Sequence, residues 1–575
     1  MTRDAEELVA SLRAAPEYRQ RLLALGQAQS MIRRSGVLPQ DAPNFDSYLD
    51  NDLLNYSYAL IVTSLDLLDS AADEVGRDTQ TERLQLAREG FVQASYALEA
   101  ATRNAAPSED LVFHRLIAGA ASHLGGYAAR AFSLVQASIQ SGRMTPMEVT
   151  LADLISRNLD RIEERTRQLR SSPGFTDDAV LQAFQDSSGD DRVADRQAEF
   201  GLELENALST VGPVVSLLSE HYMSAVSTAL FAIAYNQQPL LRAAIANLRT
   251  GEQASNEINA PGPWWVYRLT RRLIGDLGQT SIRANIPRAR PPAATASAAD
   301  MVERHWGRLR NTFVASLFAR KRSEIDLWPS QLHVVDRIFN STGDLVVALP
   351  TSAGKTRIAE LSILACLAQG RRAVYVTPLR ALSAQTERIL ARTFTPLGAT
   401  VSSLYGSMGM SNLDEDALRT SDIVVTTPEK LDFALRSNPS VLDDVGVVVL
   451  DEGHMIGPSE REIRYEAQVQ RLLRRADSEK RRIICLSAVF PSGDDLNDFV
   501  AWITNDDPDG LHHEQWRPTE QQFGRVQWQQ DHARLTITIG SGQSFIPRFI
   551  EAKTPTKTKK KLFPANNFEL IVTTA

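Results

Sequence analysis

The chain reads as multidomain: an all-α N-terminal half, then an α/β domain whose mostly parallel sheet surrounds a phosphate-binding loop. Three observations predict this. Apolar residues recur at helical spacing from the start to about Gly278, and the stretch IPRARPPAATASAA, from Ile286 to Ala299, then denies both helix continuation and core formation. Beyond it, short β-rich runs alternate with helical segments, the pattern of a parallel sheet wrapped by helices. A length of 575 residues allows about three to four domains.

The first expected domain is 1–285. Leu54, Tyr58, Ile61, Leu65 and Leu68 place one apolar stripe along a helix. Phe91 to Ala101 and His123 to Val135 mix small and large residues at helical spacing, which lets neighbouring helices approach closely. The pattern resembles helical hairpins of the tetratricopeptide sort without their regular period, so the expectation is a scaffold that docks a protein partner. Trp264 and Trp265 have two readings, a closed helical core or a stacking surface for bases.

A Pro/Ala linker is expected over 286–300, an α/β motor domain over 301–528, and a C-terminal extension over 529–575. The strand-like runs are Asp344 to Leu349, Ala373 to Thr377, Ile423 to Thr426, Val445 to Leu450 and Arg482 to Leu486.

An apolar fraction of 43% with 23% charged residues is ordinary for a globular protein. No apolar run approaches the roughly 18 residues of a membrane span, and the N-terminus lacks a secretory pattern, so a cytoplasmic location without membrane attachment is expected. Cys366 and Cys485 lie in apolar contexts, which speaks for core packing over a disulfide or metal framework. A net charge of −8 argues against electrostatic coating of nucleic acid and for a local groove. The basic run Lys557 to Lys561 reads either as a phosphate contact or as a solvated segment.

DLVVALPTSAGKTRIAEL, Asp344 to Leu361, is a buried strand, a small-residue loop and a helix start. Its loop residues Thr351, Ser352, Ala353, Gly354, Lys355 and Thr356 can turn backbone N–H groups toward a triphosphate at a helix N-terminus. Lys355 would neutralise phosphates and the Thr356 hydroxyl would bind Mg²⁺. Leu349 stands where the general pattern has its first glycine. VGVVVLDEGHMIG supplies the second element, a strand ending in Asp451 and Glu452. A carboxylate there can hold Mg²⁺ through water, and Glu452 can orient and deprotonate an attacking water.

PTSAGKT, TPLRALSAQ, TTPEKLD, DEGHMIG and LSAVFPS resemble, in order and spacing, motifs I, Ia, Ic, II and III of superfamily 2 DEAD/DEAH-type helicases. The resemblance is to the superkiller-like branch, with archaeal DNA-repair helicases and the helicase part of DNA polymerase theta, and covers roughly Leu327 to Trp528. It implies a RecA-like, ATP-hydrolysing helicase or translocase acting with Mg²⁺ on a single strand or partial duplex, DNA favoured. It implies that Gln331 in LWPSQ recognises adenine, a helix-starting glutamine being the other reading. By the same resemblance Thr377, Pro378, Arg380, Thr427, Pro428 and Glu429 lie on the strand-tracking face, and His454, Ser487 and Val489 couple it to the nucleotide. Val489 stands where the family usually has threonine. QWRPTE, with Trp516, Arg517 and Pro518, and the later Gly524 resemble the family's segment C-terminal to motif III.

No motif IV, V or VI is found before FELIVTTA, so this stretch is expected to bind ATP, hydrolyse it poorly without arginine fingers and unwind nothing by itself. The helical front joined to such a motor is similar to the helicase subunits of Hachiman-like bacterial antiphage defence systems, which pair with a nuclease. The alternative is a nucleotide- and nucleic-acid-responsive regulatory subunit that controls a partner effector without unwinding. Intact Lys355, Asp451 and Glu452 speak against it and against a pure scaffold.

Overall fold

The computed structural model describes residues 5–35, 41–70, 77–103, 108–171, 199–292, 305–404, 412–488, 493–520, 523–529, 532–551, 556–558 and 561–563. The N-terminal helices are α1 (Ala5–Arg13), α2 (Pro16–Ser35), α3 (Leu49–Ser70), α4 (Arg77–Thr102), α5 (Glu109–Leu124), α6 (Ala128–Ile139), α7 (Pro146–Ile155) and α8 (Leu159–Ser171). They continue as α9 (Glu199–Tyr235), α10 (Gln238–Glu257), α11 (Pro261–Thr280) and the short α12 (Ile282–Asn285). Helices are therefore the regular elements of the first half's described residues. Of the expected stripe in α3, Ile61, Leu65 and Leu68 are buried, whereas Leu54 and Tyr58 are only partly so and Leu53, Ser57, Leu60 and Ser64 are buried beside them.

The second half alternates strand and helix: α13 (Trp306–Phe318), α14 (Pro329–Asn340), β1 (Leu345–Ala348), α15 (Lys355–Ala368), β2 (Arg372–Val376), α16 (Arg380–Phe394), β3 (Val401–Ser403), α17 (Asn412–Thr420), β4 (Ile423–Thr426), α18 (Pro428–Ser437), β5 (Val445–Asp451), α19 (Glu460–Leu473), β6 (Arg482–Ser487), α20 (Asp494–Thr504) and β7 (Leu511–His513). The seven strands form one sheet in the order β3-β4-β2-β5-β6-β1-β7, every neighbouring pair parallel. Strands of a sheet covered on both faces can be apolar at every position, and β1 and β4 are buried at all four of theirs. One face packs on α13, α14, α15 and α16 through residues such as Phe313, Phe339, Leu364 and Phe394. The other packs on α18, α19 and α20 through Leu431, Val469 and Phe499. This is the RecA-like parallel-sheet domain. The five strands read from sequence are present within a residue at each end; β3 and β7, three residues each at the two sheet edges, are additional.

The C-terminal segment differs from a simple extension. β8 (Gly524–Gln529), β9 (His532–Ile539) and β10 (Gly542–Glu551) form an antiparallel sheet in the order β10-β9-β8. Ile537 and Ile546 pack with Ala28 and Ile32 of α2. β11 (Thr556–Thr558) and β12 (Lys561–Phe563) pair antiparallel; Lys559 and Lys560 of the basic run lie outside the described residues. The compact units do not follow the boundaries at 285 and 300: one comprises Met1–Met223, Gly251–Arg272 and Pro518–Ala575, the other Ser224–Thr250 and Leu273–Arg517.

Candidate functional site

The phosphate loop leaves the sheet at Leu349, which is buried and whose N–H donates to Ser487 O at 3.0 Å. The leucine in place of the pattern's first glycine is thus a core residue extending β1. Two left-handed residues then turn the chain, Ser352 at φ 67° and Gly354 at φ 89°. Gly354 is the N-cap of α15, and no side chain caps that end. A Cβ there would stand 2.1 Å from Gln331 Nε2, so the position requires glycine on both conformational and steric grounds. Thr351, Ser352 and Thr356 are exposed around it.

The first turn of α14 holds this loop from behind. Ser330 Oγ donates to Ala353 O at 2.8 Å, and Gln331 Nε2 donates to Gly354 O at 3.1 Å. Gln331 Oε1 accepts from Trp328 N at 2.9 Å. Each end of the Gln331 amide thus makes one bond within the protein, which leaves one N–H and one lone pair for adenine recognition. His512 on β7 closes the set, its Nε2 lying 2.8 Å from Ser330 O. Burial lowers the pKa of this histidine, and a carbonyl can only accept, so the neutral ring carries its proton on Nε2.

Across the loop, β5 delivers Asp451 and then Glu452 at φ 50°. Lys355 Nζ is 3.9 Å from Glu452 Oε1, an ion pair too long for a hydrogen bond. Among the described residues, Lys355 Nζ and Glu452 Oε2 are buried without a hydrogen bond, which is costly unless something else satisfies them. Burial pulls the Lys355 ammonium below its ordinary pKa, against Glu452 and Asp451, which hold it up. Burial and the adjacent Glu452 push the Asp451 carboxyl up, against the Tyr375 hydroxyl and Lys355. His454 Nδ1 lies 3.1 Å from Ser487 Oγ and 3.5 Å from Glu452 Oε2, so it bridges the acidic turn and the end of β6. Gly453 N donates to Leu486 O at 2.9 Å.

The residues expected on a strand-tracking face divide. Thr377 is fully buried, its hydroxyl 2.7 Å from Ser383 Oγ, and Pro378, Thr427 and Pro428 are also buried. Arg380 and Glu429 are exposed. Arg461 on α19 joins the two loops: its Nε donates to Glu429 Oε1 at 2.8 Å and its Nη2 to Pro378 O. Partial burial pushes Glu429 up, but Arg461, the Glu429 N–H and the Thr427 hydroxyl outweigh it and leave its pKa below the usual value. Val489 lies outside the described residues. Sequence reasoning passed over Ser330, His512 and Arg461. Only Ser330 carried a signal, its place beside Gln331; the other two reach the site from distant parts of the chain.

Residues 328–498 match the DEAD/DEAH box helicase family. This segment is a DEAD/DEAH box helicase domain. Around it, the chain is 30% identical to the Hachiman protein HamB of Bacillus cereus over 331 residues, 55% of this chain and 28% of that one. That alignment is longer than the helicase domain itself. The chain is 32% identical to the ATP-dependent DNA helicase Hel308 of Pyrococcus abyssi over 206 residues, 36% of this chain and 27% of that one. It thus spans little more than a quarter of the length of either relative. A solved structure of the Mycobacterium smegmatis helicase Lhr with ssDNA and AMP-PNP covers 36% of this chain and 27% of its own, at 23% identity and a TM-score of 0.29. No helix among the described residues is long and apolar enough to cross a membrane, and both cysteines are buried and free.

Proposed function

We propose that this chain is the ATP-binding part of a nucleic-acid helicase or translocase, DNA favoured, whose helical front docks a protein partner in a Hachiman-like antiphage setting. The observation that carries the motor reading is the pair of buried, hydrogen-bond-orphaned groups, Lys355 Nζ and Glu452 Oε2, facing the uncapped N-terminus of α15. A cation with no hydrogen bond among the described residues, at a helix N-terminus that no side chain caps, fits a triphosphate. Two crowded carboxylates, one with its pKa raised, fit a divalent cation.

In this reading the backbone of Thr351 to Thr356 and the Lys355 ammonium hold the phosphates, and Thr356 and Asp451 hold Mg²⁺. Bound Mg²⁺·ATP supplies the electrophilic phosphorus and neutralises developing charge. Glu452 orients a water and accepts its proton. His454 passes the position of Glu452 to Ser487 at the end of β6. Ser330 and Gln331 fix the loop, and Arg461 fixes the spacing of the two loops that carry Arg380 and Glu429. The HamB similarity supports the Hachiman-like setting, and the Hel308 similarity supports DNA as the track.

The test is ATP turnover with and without single-stranded DNA or RNA, beside nucleotide binding. Glu452→Gln should keep ATP binding and lower turnover at least about 100-fold. Stimulation by DNA, lost in that variant, is the expected result. ATP binding without turnover under any nucleic acid would favour the regulatory-subunit reading, and no ATP binding would refute the site.

A further inference from the structure

The tryptophan pair of α11 is not one feature but two. Trp264 is engaged within its own fold: Arg268 lies over its ring at 5.0 Å, and Arg268 in turn pairs with Asp66. Trp265, set edge-on to Trp264 at 4.9 Å, instead lines a cavity of about 790 Å³. Tyr58 stands 5.0 Å from Trp265 and His114 5.6 Å from Tyr58, and Phe113 lies 6.3 Å from His114. The cavity is thus walled by four rings, all only partly buried.

Charged groups complete the lining, in Asp110, Arg143 and Glu148. Glu148 accepts from Thr145 N in the capping box of α7, and its formal charge and that of Arg143 cancel. Asp110 has no ion-pair partner among the described residues, and its charge acts on Tyr58 and His114. The Tyr58 hydroxyl and His114 Nδ1 share a 2.6 Å hydrogen bond. Burial lowers the pKa of His114, so the ring adds no positive charge at neutral pH.

We propose that this cavity receives a cationic side chain, an arginine or lysine presented by a partner protein. The aromatic rings that line the cavity can attract a cation through their negative faces, and the Asp110 carboxylate, without an ion-pair partner among the described residues, supplies the counter-charge. The same carboxylate repels a phosphodiester, which disfavours the nucleobase-stacking alternative. The proposal deepens the partner-docking part of the reading above and needs no nucleotide chemistry, so a chain without ATPase would leave it standing, and its own failure would leave the motor site intact.

The test uses the full chain with 5-fluorotryptophan at its seven tryptophans, the Trp265 resonance being assigned with Trp265→Phe. N-acetyl-arginine methylamide should displace that resonance saturably, and the isosteric citrulline compound should not. Asp110→Asn should weaken the arginine effect by about fivefold or more with the melting transition retained. Asp110 sits in the first turn of α5, where a carboxylate is favoured for the helix alone, so a change in melting without a change in arginine binding would overturn the proposal. An equal response to citrulline, a stronger response to an oligothymidylate, or no response to any of them would overturn it as well.

Discussion

Gly453→Ala is the sharpest probe of how tightly the acidic motif is seated. The family's name spells an alanine at the third letter, where this chain has glycine. A Cβ on Gly453 would stand 2.1 Å from Cys485 Sγ, in a part of β6 that is fully buried. Non-bonded heavy atoms settle at about 3.5 Å or beyond, so something must move by more than about 1 Å. Overpacking of this kind costs about 1–3 kcal/mol. Gly453 is tied to Leu486 O and flanked by Glu452 and His454, so the displacement falls on the proposed catalytic groups, where an error of about 1 Å can cost about 100-fold in turnover. The same structure names the rescue. Cys485 Cβ would lie 3.7 Å from the new methyl, an ordinary contact, so Cys485→Ala should restore both stability and turnover in the double variant although alone it costs about 1 kcal/mol. A double-mutant cycle by denaturant unfolding, with ATPase measured in parallel, should give a favourable coupling of about 1–2 kcal/mol. Strict additivity, or a Gly453→Ala protein as stable and active as the parent, would refute the packing argument.

Buried polar groups carry further expected outcomes. Arg482 donates to Gly343 O, Ile338 O and Arg337 O, capping the end of α14; Arg482→Leu should destabilise the motor unit by about 3 kcal/mol in denaturant unfolding, and a loss below about 1 kcal/mol would contradict that role. Burial pushes Asp344 up to about 6, against the Ile483 N–H and Arg482. Its folded pKa therefore exceeds the unfolded value near 3.9, so its contribution is complete below about pH 4 and is lost as pH rises through about 6. Asp344→Asn should gain up to about 3 kcal/mol relative to the parent between pH 4 and pH 8, and a pH-independent difference would refute it. Ser330→Ala removes the donor to Ala353 O and should weaken ATP binding several-fold with about 1 kcal/mol of lost stability, read by nucleotide titration.

The parallel-sheet domain was legible because its central strands are short, continuous apolar runs and the small-residue loop follows directly on one of them. β3 and β7 were not, since three residues at a sheet edge leave no periodicity to read. The antiparallel strands of 524–551 do alternate, as in ARLTITI, but their partner α2 lies near the other end of the chain, and nothing local points to it. At the site, the structure sets Lys355 Nζ 3.9 Å and His454 Nδ1 3.5 Å from the Glu452 carboxylate, next to Asp451. Residue type did not reveal that Thr377 would turn its hydroxyl inward to Ser383, or that the Gln331 amide would bond Trp328 N and Gly354 O. Those outcomes depend on which backbone groups a neighbouring loop leaves unpaired, and that is decided by packing.

The interleaving of the two compact units has a consequence for synthesis. The Ser541 N–H donates to Gln20 Oε1 at 2.7 Å, across 521 residues, and α2 buries Ala28 and Ile32 against β9 and β10. A chain made from its N-terminus exposes those helical residues throughout the production of the whole parallel sheet. The parallel-sheet unit can close as soon as Arg517 has emerged, while the unit that contains α2 must wait for β9 and β10. Arrest of translation before β9 would thus leave α2 as the adhesive surface, and a chaperone that shields it would act on a helix made long before the strands that cover it.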